Sequence, residues 1–167
     1  MLQEITKWLA ATPASQAIQE ILWIIPLIQS VHILAIAVVL TSVGLIDLRI
    51  FGLAGGRGTL RETAQRFVPW IWGALVVLAV TGSILVIGEP DRSLVNPMFQ
   101  IKMGLLVCAI AVIATFQFTV THRAAVLEAN GRTPATLKLF AILTLLLWFA
   151  IAVAGRWIAY MSLGTPL

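Results

Sequence analysis

Two histidines, one cysteine and a few charges set into long apolar runs are the residues of this 167-residue chain on which chemistry could rest. Inside hydrocarbon an ionisable side chain is expensive, so each one found at depth asks for a reason. His32 falls within the apolar run that opens near Ile21. At ~1.5 Å per helical residue it sits about 16 Å below the boundary, near the middle of a ~30 Å hydrocarbon core. Gln29 lies one turn above it on the same helix face, and steps of three and four lead on through Ile36, Leu40 and Gly44 to Asp47. That polar stripe is expected to face inward. An imidazole at this depth either hydrogen-bonds a neighbouring helix or serves as a ligand or proton-transfer group.

Two cations fall in the same half of the membrane. Lys102 lies about 8 Å into the third apolar run, counted from Pro97 by the helical rise. Its long stem allows it to lift its ammonium toward headgroups or to pair with an anion inside. Arg156 stands near the end of the fourth run, between Gly155 and Trp157. Two cations above an imidazole suit an anionic, largely apolar guest: a haem with its propionates, a quinone head or a lipid phosphate. His122 does not pair with His32 in this reading. It lies ~37 Å from Pro97 by the helical rise, at the far interface, and the two imidazoles stand too far apart in depth to clamp one iron. Asp47 and Arg49 share that level with His122 and Arg123, and an ion-pair cluster is the expectation there.

Soft ligands give a second possibility. Met98, Met103 and Met161 belong to the same half as Lys102, and Cys108 lies near the depth of His32. Thioether, thiolate and imidazole together suit Cu(I), with His32, Met103 and Cys108 as the ligands; the same methionines and cysteine also serve as ordinary apolar filling. The lone cysteine rules out an internal disulfide and a Cys-based zinc site. No phosphate loop, nucleophile elbow, paired carboxylates or zinc spacing occurs, so hydrolysis and phosphoryl transfer find no support.

The elements that must position these residues follow from composition. Hydrophobic residues make up 60% of the chain and charged ones 11%, against roughly 45–50% and about 25% in soluble domains. Four runs are long enough to cross a bilayer as helices, about 21–46, 68–87, 97–121 and 139–160. Leu2, Ile5, Trp8 and Leu9 recur at helical spacing among Gln3, Glu4 and Lys7, which predicts a short amphipathic helix over about 2–11, lying at the interface. Thr12 and Pro13 break it. No cleavable signal is evident, and the amino terminus is expected to be retained. Arg49, Arg57, Arg61 and Arg66 flank the first turn, and Arg123, Arg132 and Lys138 the third, so both basic turns fall on one side. By the positive-inside rule, and for a bacterial inner membrane, both termini and the 89–96 turn lie on the periplasmic side. The net charge of +4 is thereby explained by topology, and nucleic acid is not expected as a partner. The small residues Gly73, Ala74, Gly82, Ser83 and Gly104 permit close helix contact. An all-α, four-helix up-and-down bundle preceded by an interfacial helix is the simplest arrangement, a single transmembrane domain over 1–167.

Several segments carry a resemblance: Gln29-Ser30-Val31-His32-Ile33-Leu34, Asp47-Leu48-Arg49 with Gly52, Asn96-Pro97 leading to Ile101-Lys102, and Gly155-Arg156-Trp157-Ile158. Together they resemble a family of small, uncharacterised bacterial four-span inner-membrane proteins, over most of the chain beyond the amino-terminal helix. More distantly, His32 in the first span and Lys102 opening the third resemble the copper-resistance protein D family and the haem-containing membrane protoporphyrinogen oxidases. The second resemblance implies a haem b or redox protein with His32 and Lys102 at the site, to which the helix face and the span end add Gln29 and Arg156. The alternatives are a copper or small-solute binding or transport protein, and a non-catalytic subunit of a larger membrane complex or homo-oligomer docked through its amino-terminal helix.

Overall fold

A computed structural model describes residues 2–53, 59–128 and 134–161 of the chain, with the side chains at 2, 91, 121–128 and 159–161 excepted. Its elements are α1 (Leu2–Ala10), α2 (Pro13–Glu20), α3 (Ile24–Ile50), α4 (Leu60–Gly88), α5 (Pro90–Ser93), α6 (Pro97–Glu128) and α7 (Ala135–Met161). The described residues hold no strand. Four helices, α3, α4, α6 and α7, carry windows apolar and long enough to cross a membrane, so the protein is a multi-pass, all-α membrane protein.

Local chemistry places the helix ends. The Thr59 hydroxyl accepts from the Glu62 N–H while the Glu62 carboxylate accepts from the Thr59 N–H. This reciprocal capping box starts α4 at Leu60, eight residues before the expected apolar run. Gly52, at φ 75°, closes α3: its N–H reaches Arg49 O and the Leu53 N–H reaches Leu48 O, a Schellman stop that requires a left-handed residue. The helix therefore runs on to Ile50 rather than ending at Ile46. α6 opens on Pro97, with the Asn96 side-chain oxygen accepting from the Met98 N–H. Thr12 caps α2, whose first residue is Pro13, so the residues that break α1 also start a second short helix.

Four contacts fix the topology. The start of α3 meets the end of α4 where His32 lies against Gly82, and the start of α6 meets the end of α7 where Lys102 lies against Gly155. Asp47 near the end of α3 meets Thr144 near the start of α7. Trp72 on α4 donates its indole N–H to Gln117 late in α6. Each contact joins an early stretch of one helix to a late stretch of its neighbour, so the four long helices alternate in direction around a closed ring. Packing is densest within the hairpins α3/α4 and α6/α7. Between them lies the core: Val39, Val43 and Ile46 from α3, Val68, Ile71 and Leu75 from α4, Ile113 and Phe116 from α6, Ala141 and Trp148 from α7. These recur at three and four residues, while Leu34, Val76, Phe118 and Phe149 face outward, as lipid-facing positions should.

The short helices gather at one end of the bundle. α1 packs on α5, and α2 on α4. Gln19 donates to Gly88 O at 2.9 Å, and the absence of a side chain at Gly88 admits Ile18, whose Cγ2 lies 2.8 Å from where a Cβ would stand. This is the capped end. The opposite, basic end carries Arg49, Arg61, Arg66 and Lys138.

Candidate functional site

A cavity of about 380 Å³ lies between the two hairpins toward the capped end. Gln29 and His32 reach it from α3, Gly82 and Leu85 from α4, Lys102 from α6, and Gly155 and Arg156 from α7. The four residues singled out from sequence as a cofactor site, Gln29, His32, Lys102 and Arg156, thus line one space. Ile36, Val86, Phe99 and Ile151 supply apolar walls.

His32 is held by a partner that the sequence reading did not name. Its Nδ1 lies 2.7 Å from the Thr81 hydroxyl oxygen, and that hydroxyl lies 2.7 Å from the Val77 carbonyl oxygen. The carbonyl can only accept, so the single hydroxyl hydrogen points to it. The hydroxyl oxygen is then left to accept, and Nδ1–H is the donor. In the uncharged ring this leaves Nε2 with an unshared electron pair and, among the described residues, no protein partner. A carbonyl-anchored hydroxyl that takes one ring nitrogen sets the orientation and tautomer of the imidazole and leaves the other nitrogen to face the cavity. The ring packs against Gly82, the next residue: a Cβ there would stand 3.6 Å from His32 Cε1, an ordinary van der Waals contact.

Lys102 turns toward α7 rather than out to lipid. A Cβ at Gly155 would lie 3.6 Å from its Nζ and 3.8 Å from its Cε, ordinary van der Waals distances, so the lysine stem runs against α7 at that residue. No carboxylate among the described residues comes within salt-bridge distance of Lys102. The other acidic and basic residues of the wall are Glu89, salt-bridged to Arg92 at 3.0 Å, and Arg156. With Glu89 matched by Arg92, the Lys102 ammonium is the charge of the lining that no described carboxylate meets, and it favours a negatively charged guest.

The soft-ligand set does not assemble. Cys108 and Met103 are exposed on α6 and neither lines the cavity. Among the described residues no group of three or more His, Cys, Asp or Glu side chains is placed to hold a metal. The side chains of His122 and Arg123 lie outside the described residues. Asp47 is not at the surface beside Arg49: it is 3% exposed and accepts from the Thr144 hydroxyl at 3.0 and 3.2 Å. The reason is helical phase. Asp47 continues the inward stripe of Val39, Val43 and Ile46, and Arg49 does not.

Of the residues that sequence reasoning missed, Thr81 carried a usable signal. It is seven residues from the end of α4 and His32 eight from the start of α3, so at ~1.5 Å per residue the two share a depth to within a few ångströms. Glu89 and Arg92 carried none, since a short polar turn reads the same whether or not it lines a cavity.

Residues 23–161 match a family described as a family of unknown function (DUF6644). The chain belongs to that family. No curated protein and no solved structure matches it, and the resemblances to copper-resistance protein D and the protoporphyrinogen oxidases find no support. The matched stretch spans all four long helices and every residue of the cavity, whereas α1 and α2 precede it.

Proposed function

We propose that this cavity holds haem b, with His32 as the residue that would hold the iron through Nε2 and Lys102 and Arg156 as those that would meet the propionates. The observation that carries the reading is the bare Nε2 in one cavity with Lys102, which has no carboxylate partner among the described residues. A lone pair repels an anion, so a guest that satisfies both needs an electrophilic centre for the imidazole and an anionic group for the ammonium. A metalloporphyrin carries both, and its apolar edges match Ile36, Val86, Phe99 and Ile151.

The donor set fits such a group in three respects. The histidine is oriented by Thr81 through its other ring nitrogen. The walls are mostly apolar with a few convergent polar groups, and the volume lies within the ~300–1,000 Å³ usual for small-molecule sites. One side of the cavity is open, which accommodates a guest larger than the enclosed volume. When bound, haem supplies one-electron redox chemistry; the chain's own residues orient the ligand, neutralise the propionates and exclude water from the iron's surroundings. The reading places the protein in a bacterial inner membrane with the capped end periplasmic, because Arg49, Arg61, Arg66 and Lys138 gather at the other end.

The test is the absorption spectrum of detergent-purified protein, oxidised and dithionite-reduced, from cells supplied with haem. Soret and α bands in the wild type that are lost in His32→Ala support the reading. A featureless wild-type spectrum overturns it. Among the described residues no cluster of side chains assembles for copper. The docking-subunit alternative would use α1, which packs on this chain's own α5 and leaves Ile5 and Trp8 exposed.

A further inference from the structure

The residues that line the cavity differ in exposure according to helix. Those on α4, α5 and α6 are buried or half-buried, whereas the exposed ones, Ile33, Ala152 and Arg156, belong to α3 and α7. Ile33 is 64% exposed although it lines the cavity. The open side is therefore the seam between α3 and α7.

The depth of that opening decides what can use it. Ile33 is nine residues from the capped-end start of α3 at Ile24, and Ala152 nine from the capped-end finish of α7 at Met161. At ~1.5 Å per residue both lie about 14 Å inside the bundle, at hydrocarbon depth and well away from water. Arg156 stands one turn nearer the capped end, and Lys102 lies five residues inside α6. At the capped end itself, α5 contributes Arg92 and Ser93 to the lining, with α1 packed on it. Toward the basic end the seam is shut by the Asp47–Thr144 contact. An apolar opening at mid-depth, with cations above it and polar elements over the end, is the reverse of an aqueous pore.

We infer that the cavity is filled sideways from the bilayer, through the α3/α7 seam, by an anionic amphiphile whose head is held at Lys102 and Arg156 and whose apolar body passes between Ile33 and Ala152. This rests on the reading of the cavity as a guest site and is independent of the guest's iron. The geometry selects for an anionic group on an apolar body: a head without a body has no route at that depth, and a neutral lipid leaves Lys102 without its counter-charge.

The experiment uses the full chain in liposomes with Cys108→Ala and a reporter thiol in the cavity, His32→Cys, which removes the proposed iron ligand. Ile36→Cys is the second reporter should the first fail to fold. A long-chain alkyl maleimide dissolved in the bilayer is expected to label either reporter and a charged, water-borne thiosulfonate to label neither, and Ile33→Trp combined with Ala152→Leu to abolish the maleimide labelling while leaving labelling of the detergent-unfolded protein unchanged. Oleate is expected to protect the reporter where oleyl alcohol does not, and Lys102→Gln to remove the protection. Lipid-phase labelling that is indifferent to the Ile33/Ala152 substitutions, or confined to the water-borne reagent, overturns the lateral route; equal protection by oleate and the alcohol overturns the anionic head. Gated labelling in a protein without haem bands leaves this inference standing while the haem reading falls, and haem bands with ungated labelling do the opposite.

Discussion

Replacing Thr81 by valine keeps the shape of a residue only 4% exposed and removes the one oxygen that accepts from His32. The contact is short, 2.7 Å, and the walls around it are apolar, so no nearby side chain takes its place. An N–H left unpaired in such surroundings costs about 1–3 kcal/mol. The ring can avoid that cost by moving its proton to Nε2, which spends the lone pair that ligation needs. Either way the ligating form is disfavoured by the same amount, and at ~1.4 kcal/mol per tenfold haem affinity falls roughly 5- to 150-fold. The assay is titration of haem-free protein with haem, followed in the Soret band, with nitrogen-15 NMR of labelled histidine as a readout of which ring nitrogen carries the proton. Thr81→Ser retains the oxygen and is expected to retain both the affinity and the Nδ1–H form. Unchanged affinity in Thr81→Val, or an Nε2–H ring in the wild type, refutes the hydrogen accounting at this site.

Lys102→Gln removes a charge-assisted contact to an anionic head, worth about 1.5–3 kcal/mol; the haem titration should weaken by roughly ten- to a hundredfold, with the thermal midpoint in detergent little changed. Thr144→Val leaves the buried Asp47 carboxyl without its hydroxyl partner, and denaturation in mild detergent should show a loss of about 1–3 kcal/mol with the haem spectrum intact. Gly88→Ala drives a methyl to 2.8 Å from Ile18 Cγ2, close to the backbone of a β-branched residue that cannot swing away, so limited proteolysis should release α1 and α2 while the four-helix bundle resists. Met103→Leu and Cys108→Ser should change neither haem binding nor metal content, because both residues are exposed on α6; loss of bound metal in either variant would restore the copper reading.

The parts of this structure legible in the sequence are those set by apolar period and depth. Four long runs gave four helices, and the stripe from Gln29 and His32 to Asp47 gave the polar residues that α3 turns inward, although Leu40 on that stripe is exposed and the buried face runs through Val39, Val43 and Ile46. Lys102 and Arg156 were placed by counting from span ends, and both line the cavity with His32. Helix ends were less legible, since hydropathy marks the hydrocarbon and not the helix. Arg61, Glu62 and Arg66 looked like loop, yet the Thr59–Glu62 capping box carries α4 back through them. The environment of Asp47 was misjudged because its partner, Thr144, lies 97 positions away in sequence, and nothing local shows which hydroxyl will meet it. Met103 and Cys108 mark a further limit: an apolar side chain satisfies lipid and core equally, so composition does not say which way it faces. Thr81 was legible in principle, through its depth, but a threonine flanked by Gly82 and Ser83 reads first as close helix packing.

The most direct test of the account is chemical replacement of the His32 side chain. His32→Gly removes the imidazole and leaves a space its own size beside Thr81 and Gly82. The account predicts that this variant, reconstituted with haem, lacks the wild-type Soret and α bands, and that adding free imidazole restores them. Bands that persist in His32→Gly without imidazole, or a wild type that takes up no haem at all, would contradict it.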